Sequence, residues 1–305
     1  MTRFGALAAL ILAAPLVLRY PTLETQILTF GLLTVAFYLL LGELGFLSFG
    51  QATFNGIGAY VTARILIDGH APLLAALLAG TLAGALGAAL IGALATRGRG
   101  VYGVMLTFAF NEMAYYIAFQ WRAVTGGDNG LGNLPQPTLF GLSLDDPVRY
   151  YYFTAVLVLA AFAAVLRLID SPFGAVVRAI RENEERARAI GFRVERFKVV
   201  SFAISGALCG LAGGLYAGVF HFVPLQSIDL DLSSNIVVAT ILGGAGSPYG
   251  ALLGAAVFIV LSNVLSHVWA HWPLLFGIVF CAVVLFFRGG LWSVGGYGRR
   301  AAAHP

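Results

Sequence analysis

The chain has 305 residues, 59% of them hydrophobic and only 10% charged, with a mean hydropathy of +0.88 and a formal net charge of +4. Those values exclude an ordinary soluble domain and predict an all-α polytopic membrane protein, with membrane lipid as its solvent. They also argue against nucleic acid as a partner: the pI is near 9.2, but the basic residues collect at the edges of apolar runs, where the positive-inside rule accounts for them.

Apolar runs of roughly 15–25 residues predict passes at 4–18, 25–41, 52–67, 73–95, 101–121, 150–168, 199–220, 234–243, 250–266 and 273–288. These are about ten transmembrane or re-entrant helices. The first run, behind Arg3, is signal-peptide-like in length, yet the next run follows within a few residues, so an uncleaved first helix is the expectation. The short runs flank Leu41–Gly45 and Gly243–Pro248, where glycines predict broken or re-entrant helices. Thirty-eight glycines fit closely packed membrane helices, because small residues let backbones approach.

Charge orients the chain. Placing Arg3, Arg97, Arg99, Arg167, the segment 171–198 and Arg288, Arg299 and Arg300 on the cytoplasmic side puts fourteen of the eighteen Lys and Arg residues inside, with both termini. Arg19, Arg64, Arg122 and Arg149 remain outside, and Trp121, Trp269, Trp272 and Trp292 fall at the expected boundaries. The segment 122–149 interleaves Gly126, Gly127, Gly130 and Gly132 with Asp128, Asn129 and Asn133, and reads as an irregular outer loop, either a surface turn or a lid over the pathway. Farther on, Gly206, Gly210, Gly214 and Gly218 recur every four residues on one helix face, a stripe that predicts close packing of another helix.

Several motifs carry no chemistry in this context. Gly98–Gly103 matches GxGxxG but joins two predicted spans and lies in no βαβ unit, so it reads as a turn. His267 and His271 have helical ligand spacing but sit among Trp269 and Trp272 at a membrane edge, so no metal site is expected. Cys209 and Cys281 lie in apolar runs and read as small buried hydrophobes. A P-loop needs a lysine between glycine and Ser or Thr; the one lysine, Lys198, stands between Phe197 and Val199. Any ATP chemistry of that kind belongs to another polypeptide, and this chain has no catalytic set of its own. Within the predicted spans the acids are Glu43 and Glu112, with polar Gln51, Asn55, Asn111 and Asn235; such groups line a path or gate, or bond to neighbouring backbone.

The segment 171–198 holds seven of the Lys and Arg residues and four of the acids. Ser171-Pro172 is a helix start, and Asn183 caps a second helix with Glu184 and Glu185 in its first turn and Gly191 as its stop. Two amphipathic helices too short to stand alone predict a docking surface.

Here the sequence resembles the permease subunits of branched-chain (hydrophobic) amino-acid ABC importers. The resemblance rests on LGELGFLSFGQATFNGIGAYVTA (41–63), RGRGVYGVMLTFAFNEM (97–113), TGGDNGL (125–131), 171–217 and ILGGAGSPYGALLGAAVF (241–258). It implies a single transmembrane permease domain over 1–305, architecturally like the vitamin B12-type importer permeases, in a bacterial inner membrane. It implies as partners a second homologous permease, two cytoplasmic ATPases and a periplasmic substrate-binding protein, with ATP and Mg on the partners and no cofactor here. Carried over, 171–198 is the cytoplasmic ATPase-docking loop, through Arg178, Arg181, Glu182, Asn183, Glu184, Ala187 and Gly191, and 122–149 the periplasmic loop. The motifs at Ser48–Tyr60 and Gly243–Gly250 line or support the path, which puts Tyr60 with Gln51, Asn55, Asn111, Glu112 and Asn235 as path or gate residues. Glu43 and Asn55 depart from the family pattern, which leaves urea, short amides, and aromatic or dicarboxylic acids as alternative cargo. An ATP-independent channel or secondary transporter is the rival reading.

Overall fold

The computed structural model describes residues 2–18, 20–69, 72–98, 100–135, 138–139, 142–268, 274, 277–278, 280–281 and 290–294. The helices are α1 (Thr2–Leu18), α2 (Pro21–Tyr38, continued as a π-turn over Leu39–Glu43), α3 (Gln51–Gly69), α4 (Leu73–Ala95), α5 (Val101–Gln120), α6 (Arg122–Thr125), α7 (Pro147–Ile169), α8 (Pro172–Glu182), α9 (Glu184–Ala189), α10 (Val194–Phe220), α11 (Leu230–Gly243), α12 (Pro248–Val268) and α13 (Leu291–Val294). Among the described residues the extended pairings are a two-residue ladder, Thr138–Leu139 against Leu142–Ser143, and an isolated bridge between Leu131 and Val223.

Among the described residues, five helices are long and apolar enough to cross a membrane: Pro21–Glu43, Leu73–Ala95, Pro147–Ile169, Val194–Phe220 and Pro248–His267. The expected passes over 52–67 and 101–121 are helical, but Gln51, Asn55, Arg64 and Asp68 in α3, and Asn111 and Glu112 in α5, make those helices too polar to join the five. At 14 residues, α11 is about 21 Å long, short of a hydrocarbon core of about 30 Å. The expected pass at 273–288 falls largely outside the described residues, as do His271, Trp269 and Trp272. Leu78, Leu82, Leu86 and Leu90 form an outward row on α4, each 63–71% exposed. Such a row is a liability in water and matches the surroundings in lipid.

Two of the five, α2 and α10, form the centre. α10 lies against α2, α3 and α4, and its small residues set the separation. A methyl group at Gly210 would come within 2.6 Å of Gly80 O, and one at Gly84 within 2.5 Å of Gly206 O, so backbones of α4 and α10 are in contact. Gly214 meets Thr62 Oγ1 and Leu77 from two helices at once, whereas Gly218 has turned to Tyr150 on α7. The four glycines therefore face three helices, α4, α3 and α7, because a four-residue repeat drifts around a helix of 3.6 residues per turn. On the opposite flank Thr34 Oγ1 lies 3.0 Å from Ala251 O, tying α2 to α12. α1 packs on α7 through Phe4 on Phe162 and a hydrogen bond from the Tyr151 hydroxyl to Ile11 O.

The first part of the loop after α5, over residues 121–131, is held by its own hydrogen bonds. Thr125 Oγ1 bonds the carbonyls of Ala118 and Trp121, Gly126, Gly127 and Gly130 take positive φ, and Leu131 and Val223 exchange backbone bonds of 2.9 Å. It is thereby tied to the connection between α10 and α11.

The Gly210 contact is testable. Gly210→Val should destabilise the purified protein by about 1–3 kcal/mol through overpacking, read as lowered thermal stability in detergent. Gly246→Ala, whose added methyl meets nothing within 4 Å, should leave the transition unchanged.

Candidate functional site

Two helix breaks meet inside the bundle. After its π-turn α2 ends at Glu43, and the chain returns through the irregular segment 44–50 before α3 starts. A second irregular connection, Pro224–Asp229, precedes α11. Lipid offers no hydrogen bonds, so the backbone groups of both breaks need partners from the protein. Asn111, halfway along α5 and fully buried, serves both. Its Oδ1 accepts from Thr53 N at 3.2 Å and Thr53 Oγ1 at 2.9 Å, and its Nδ2 donates to Ile228 O at 3.0 Å. Ser233 Oγ donates to Phe49 O at 2.7 Å and accepts from Ala52 N at 3.0 Å, capping α3 from another helix. Thr107 Oγ1 accepts from Phe49 N, and Asn55 Nδ2 donates to Ser227 O at 3.1 Å. Gln51 is anchored to α10, where Cys209 Sγ donates to its Oε1 at 2.8 Å.

At the cytoplasm-assigned end, α8 and α9 form as two capped helices. Ser171 Oγ accepts from Gly174 N, Asn183 Oδ1 accepts from Arg186 N at 2.9 Å, and Gly191 closes α9 with φ of +103°. α8 buries Val177 and Ile180 and grips the end of α2. Arg178 Nη1 donates to Glu43 Oε2 at 3.1 Å and to Ile169 O at 2.9 Å, while the Tyr38 hydroxyl donates to Glu43 Oε1 at 2.6 Å. Arg181 donates to Gly42 O. α9 is fastened separately to α10: Lys198 Nζ and Glu184 Oε2 are 2.7 Å apart, and Arg188 pairs with Glu184 at 2.9 Å. Of the docking candidates, Ala187 is buried within the chain and so does not belong to the exposed surface. Glu182, Asn183 and Gly191 are exposed. Ile190, 70% exposed at the tip, is an apolar knob that charge counting passes over.

Toward the opposite end of α10 lies a cavity of 340 Å³ between α2, α10, α11 and α12. Phe30, Leu33, Phe258 and Ile259 give it an apolar wall, and Asn55 and Asn235 add amides. Asp229 and Asp231 stand on its α11 side.

Residues 22–287 match the family described as branched-chain amino acid transport system, permease component. The chain belongs to this family. Relatives include the high-affinity branched-chain amino acid transport system permease protein LivM of Escherichia coli K12, 29% identical over 86% of this chain and 67% of that protein. LivM of Salmonella typhimurium is 28% identical over 80% of this chain and 63% of its own length. The autoinducer 2 import system permease protein LsrC of Escherichia coli O9:H4 is 32% identical over 51% of this chain and 46% of that protein. The chain thus spans about two thirds of the LivM proteins and about half of LsrC. No solved structure matches it.

In this branched-chain family permease, the six predicted path or gate residues divide. Asn55 and Asn235 border the cavity, Gln51 and Asn111 are fully buried in the polar layer, Tyr60 is buried in α3, and Glu112 is half-buried on the flank of α5. Sequence reasoning missed Ser233 and Thr107. Thr107 had a signal: it lies four residues before Asn111, on the same face of α5. Among the described residues no group of three or more His, Cys, Asp or Glu could hold a metal ion.

Asn111→Leu removes partners from Thr53 N and Ile228 O together. The expected loss is at least about 1–3 kcal/mol, the cost of stranding a buried polar group, measured as a fall in thermal stability. Thr53→Val retains the Ile228 bond and should cost less.

Proposed function

We propose that this chain is the permease subunit of an ABC importer that moves branched-chain or related amino acids into the cytoplasm by alternating access. The observation carrying this reading is the grip of α8 on Gly42 and Glu43, in a member of the branched-chain permease family. A force applied to α8 reaches the π-turn of α2 directly, and through it the irregular segment that starts α3. A lever joined to a break is the kind of element that two positions of a partner can bias.

On this reading 1–305 is one permease domain, with an ATPase-docking loop at 171–198 and a periplasmic loop at 122–149. It sits in a bacterial inner membrane with both termini cytoplasmic. About ten crossing or re-entrant helices, arranged as in the vitamin B12-type permeases, suit the five long apolar helices together with the shorter ones. The partners are a second homologous permease, two cytoplasmic ATPases and a periplasmic substrate-binding protein. ATP and Mg belong to the ATPases; Lys198 here is 8% exposed and engaged by Glu184, so it is not offered to a phosphate. The proposed docking surface comprises the exposed side of α8 and α9, including Arg186 and Ile190. An ATP-independent channel leaves that surface without an occupant.

Two variants separate docking from coupling. Ile190→Asp places a charge where an apolar contact is proposed and should weaken co-purification of the ATPases at least about tenfold, with thermal stability unchanged because Ile190 packs on little. Undiminished co-purification would remove Ile190 from the docking surface. Glu43→Gln keeps the docking surface and should retain the ATPases, while lowering substrate uptake per ATP hydrolysed in reconstituted vesicles. Unchanged uptake per ATP would remove Glu43 from the coupling route.

A further inference from the structure

We propose that the 340 Å³ cavity between α2, α10, α11 and α12 is a binding site for the ammonium group and apolar body of a small amino compound, and that it disfavours dicarboxylates. The inference rests on the importer reading above and narrows its cargo.

The volume falls at the lower end of the roughly 300–1,000 Å³ usual for small-molecule sites. Its charge is one-sided: among the described residues lining it are two aspartates and no Lys, Arg or His. Asp229 holds the N-cap position of α11, yet its side chain does not cap the helix, so the carboxylate is not committed to the backbone. Asp229 and Asp231 already occupy the positive end of the α11 dipole. A second carboxylate arriving there meets like charge with no cation to offset it. An ammonium meets two acids in a cleft walled by low-dielectric side chains, which concentrates the field.

One part of the lining suits an aliphatic body, whereas Gln26, Thr29, Gln226 and Ser262 make another part polar and neutral. Phe30 and Phe258 stack at 5.2 Å, with Leu33 and Ile259 beside them, all buried. Asn55 is held by its bond to Ser227 O, which fixes a polar group in the lining. Tyr216 of α10 lines the cavity. It lies 22 residues beyond Val194, the first residue of α10, or about 33 Å along the helix, so the cavity is remote from α8 and α9. An amino acid bound there would have its ammonium paired and its carboxylate unpaired. The site should therefore accept the amide of an aliphatic amino acid as well as the amino acid itself.

Charge-selective labelling tests this in the full-length chain, purified with the subunits it retains. Asn235→Cys is made with Cys281→Ser; native Cys209 is fully buried and bonded to Gln51. Labelling rates are compared for a trimethylammonium-ethyl and a sulfonatoethyl methanethiosulfonate, with Tyr20→Cys, at a 72% exposed position ahead of α2 and outside the docking surface, as the exposed reference. The cationic reagent should be favoured at Asn235→Cys by about tenfold or more over the reference ratio. Adding Asp229→Asn and Asp231→Asn should bring the ratio back to the reference. Millimolar L-leucinamide should slow labelling, whereas 4-methylpentanoate, which has the same branched body without the amine, should not. Ser262→Cys, on another wall of the cavity, repeats the measurement if Asn235→Cys does not fold. A ratio equal to the reference, absence of labelling at both positions, or equal protection by 4-methylpentanoate overturns the proposal. ATPase co-purification and uptake are measured on the same preparation. Their absence alongside intact charge selectivity overturns the importer reading and leaves the cavity assignment standing.

Discussion

The fold depends on one constraint: hydrocarbon cannot hydrogen-bond, so a helix interrupted inside a membrane must find its lost partners in the protein. Two interruptions, 44–50 and Pro224–Asp229, are set where one side chain serves both. Asn111 accepts from the first turn of α3 and donates to the connection ahead of α11, and Ser233 bonds across the same junction. These polar residues look, by composition, like a pathway. Much of their hydrogen-bonding capacity is instead spent on backbone, which makes them the condition for having helix breaks at all.

Around that junction the chain divides into a tight part and a gripped part. Glycines bring α4 and α10 into backbone contact, with α3 beside them, and a seam of that kind resists sliding because any added atom collides. The end of α2 is held differently, by ion pairs and hydrogen bonds from Arg178 and Arg181. Such contacts tolerate small displacements better than interlocked backbones do. On the proposed coupling, a helix attached to the π-turn beside a close-packed seam gives a physical reason for motion at α8 to concentrate in the irregular segment instead of spreading through the bundle.

At the far end of α10 the cavity has a lining of different character. The residues that repair the backbone are neutral, whereas those exposed on the α11 side of the cavity are acidic. Uncharged amides and hydroxyls suit a buried junction because they bond without an ionic desolvation cost. Acids at a wet mouth are cheaper to keep ionised and act on a passing solute at longer range. The two groups differ in depth and charge, and Asn55 belongs to both: it bonds the Ser227 carbonyl and lines the cavity.

The family, the helical class and the two capped helices over 171–190 were legible in the sequence, because each rests on local signals: apolar runs, Ser171 and Asn183 as caps, Gly191 as a stop. The glycine repeat on α10 was legible too, but its partners were not. Which helix meets Gly210, and why Gly218 meets Tyr150 instead, depends on helices far away in sequence. Glu43 read from the sequence as a membrane acid or a family departure; only tertiary structure set it between Tyr38 and Arg178, 135 residues apart from the latter. Asn111 and Ala187 carry the same lesson. Composition states that a polar or small residue exists, whereas its role is decided by which atoms lie within hydrogen-bonding or van der Waals reach, and in a bundle those belong mostly to other helices.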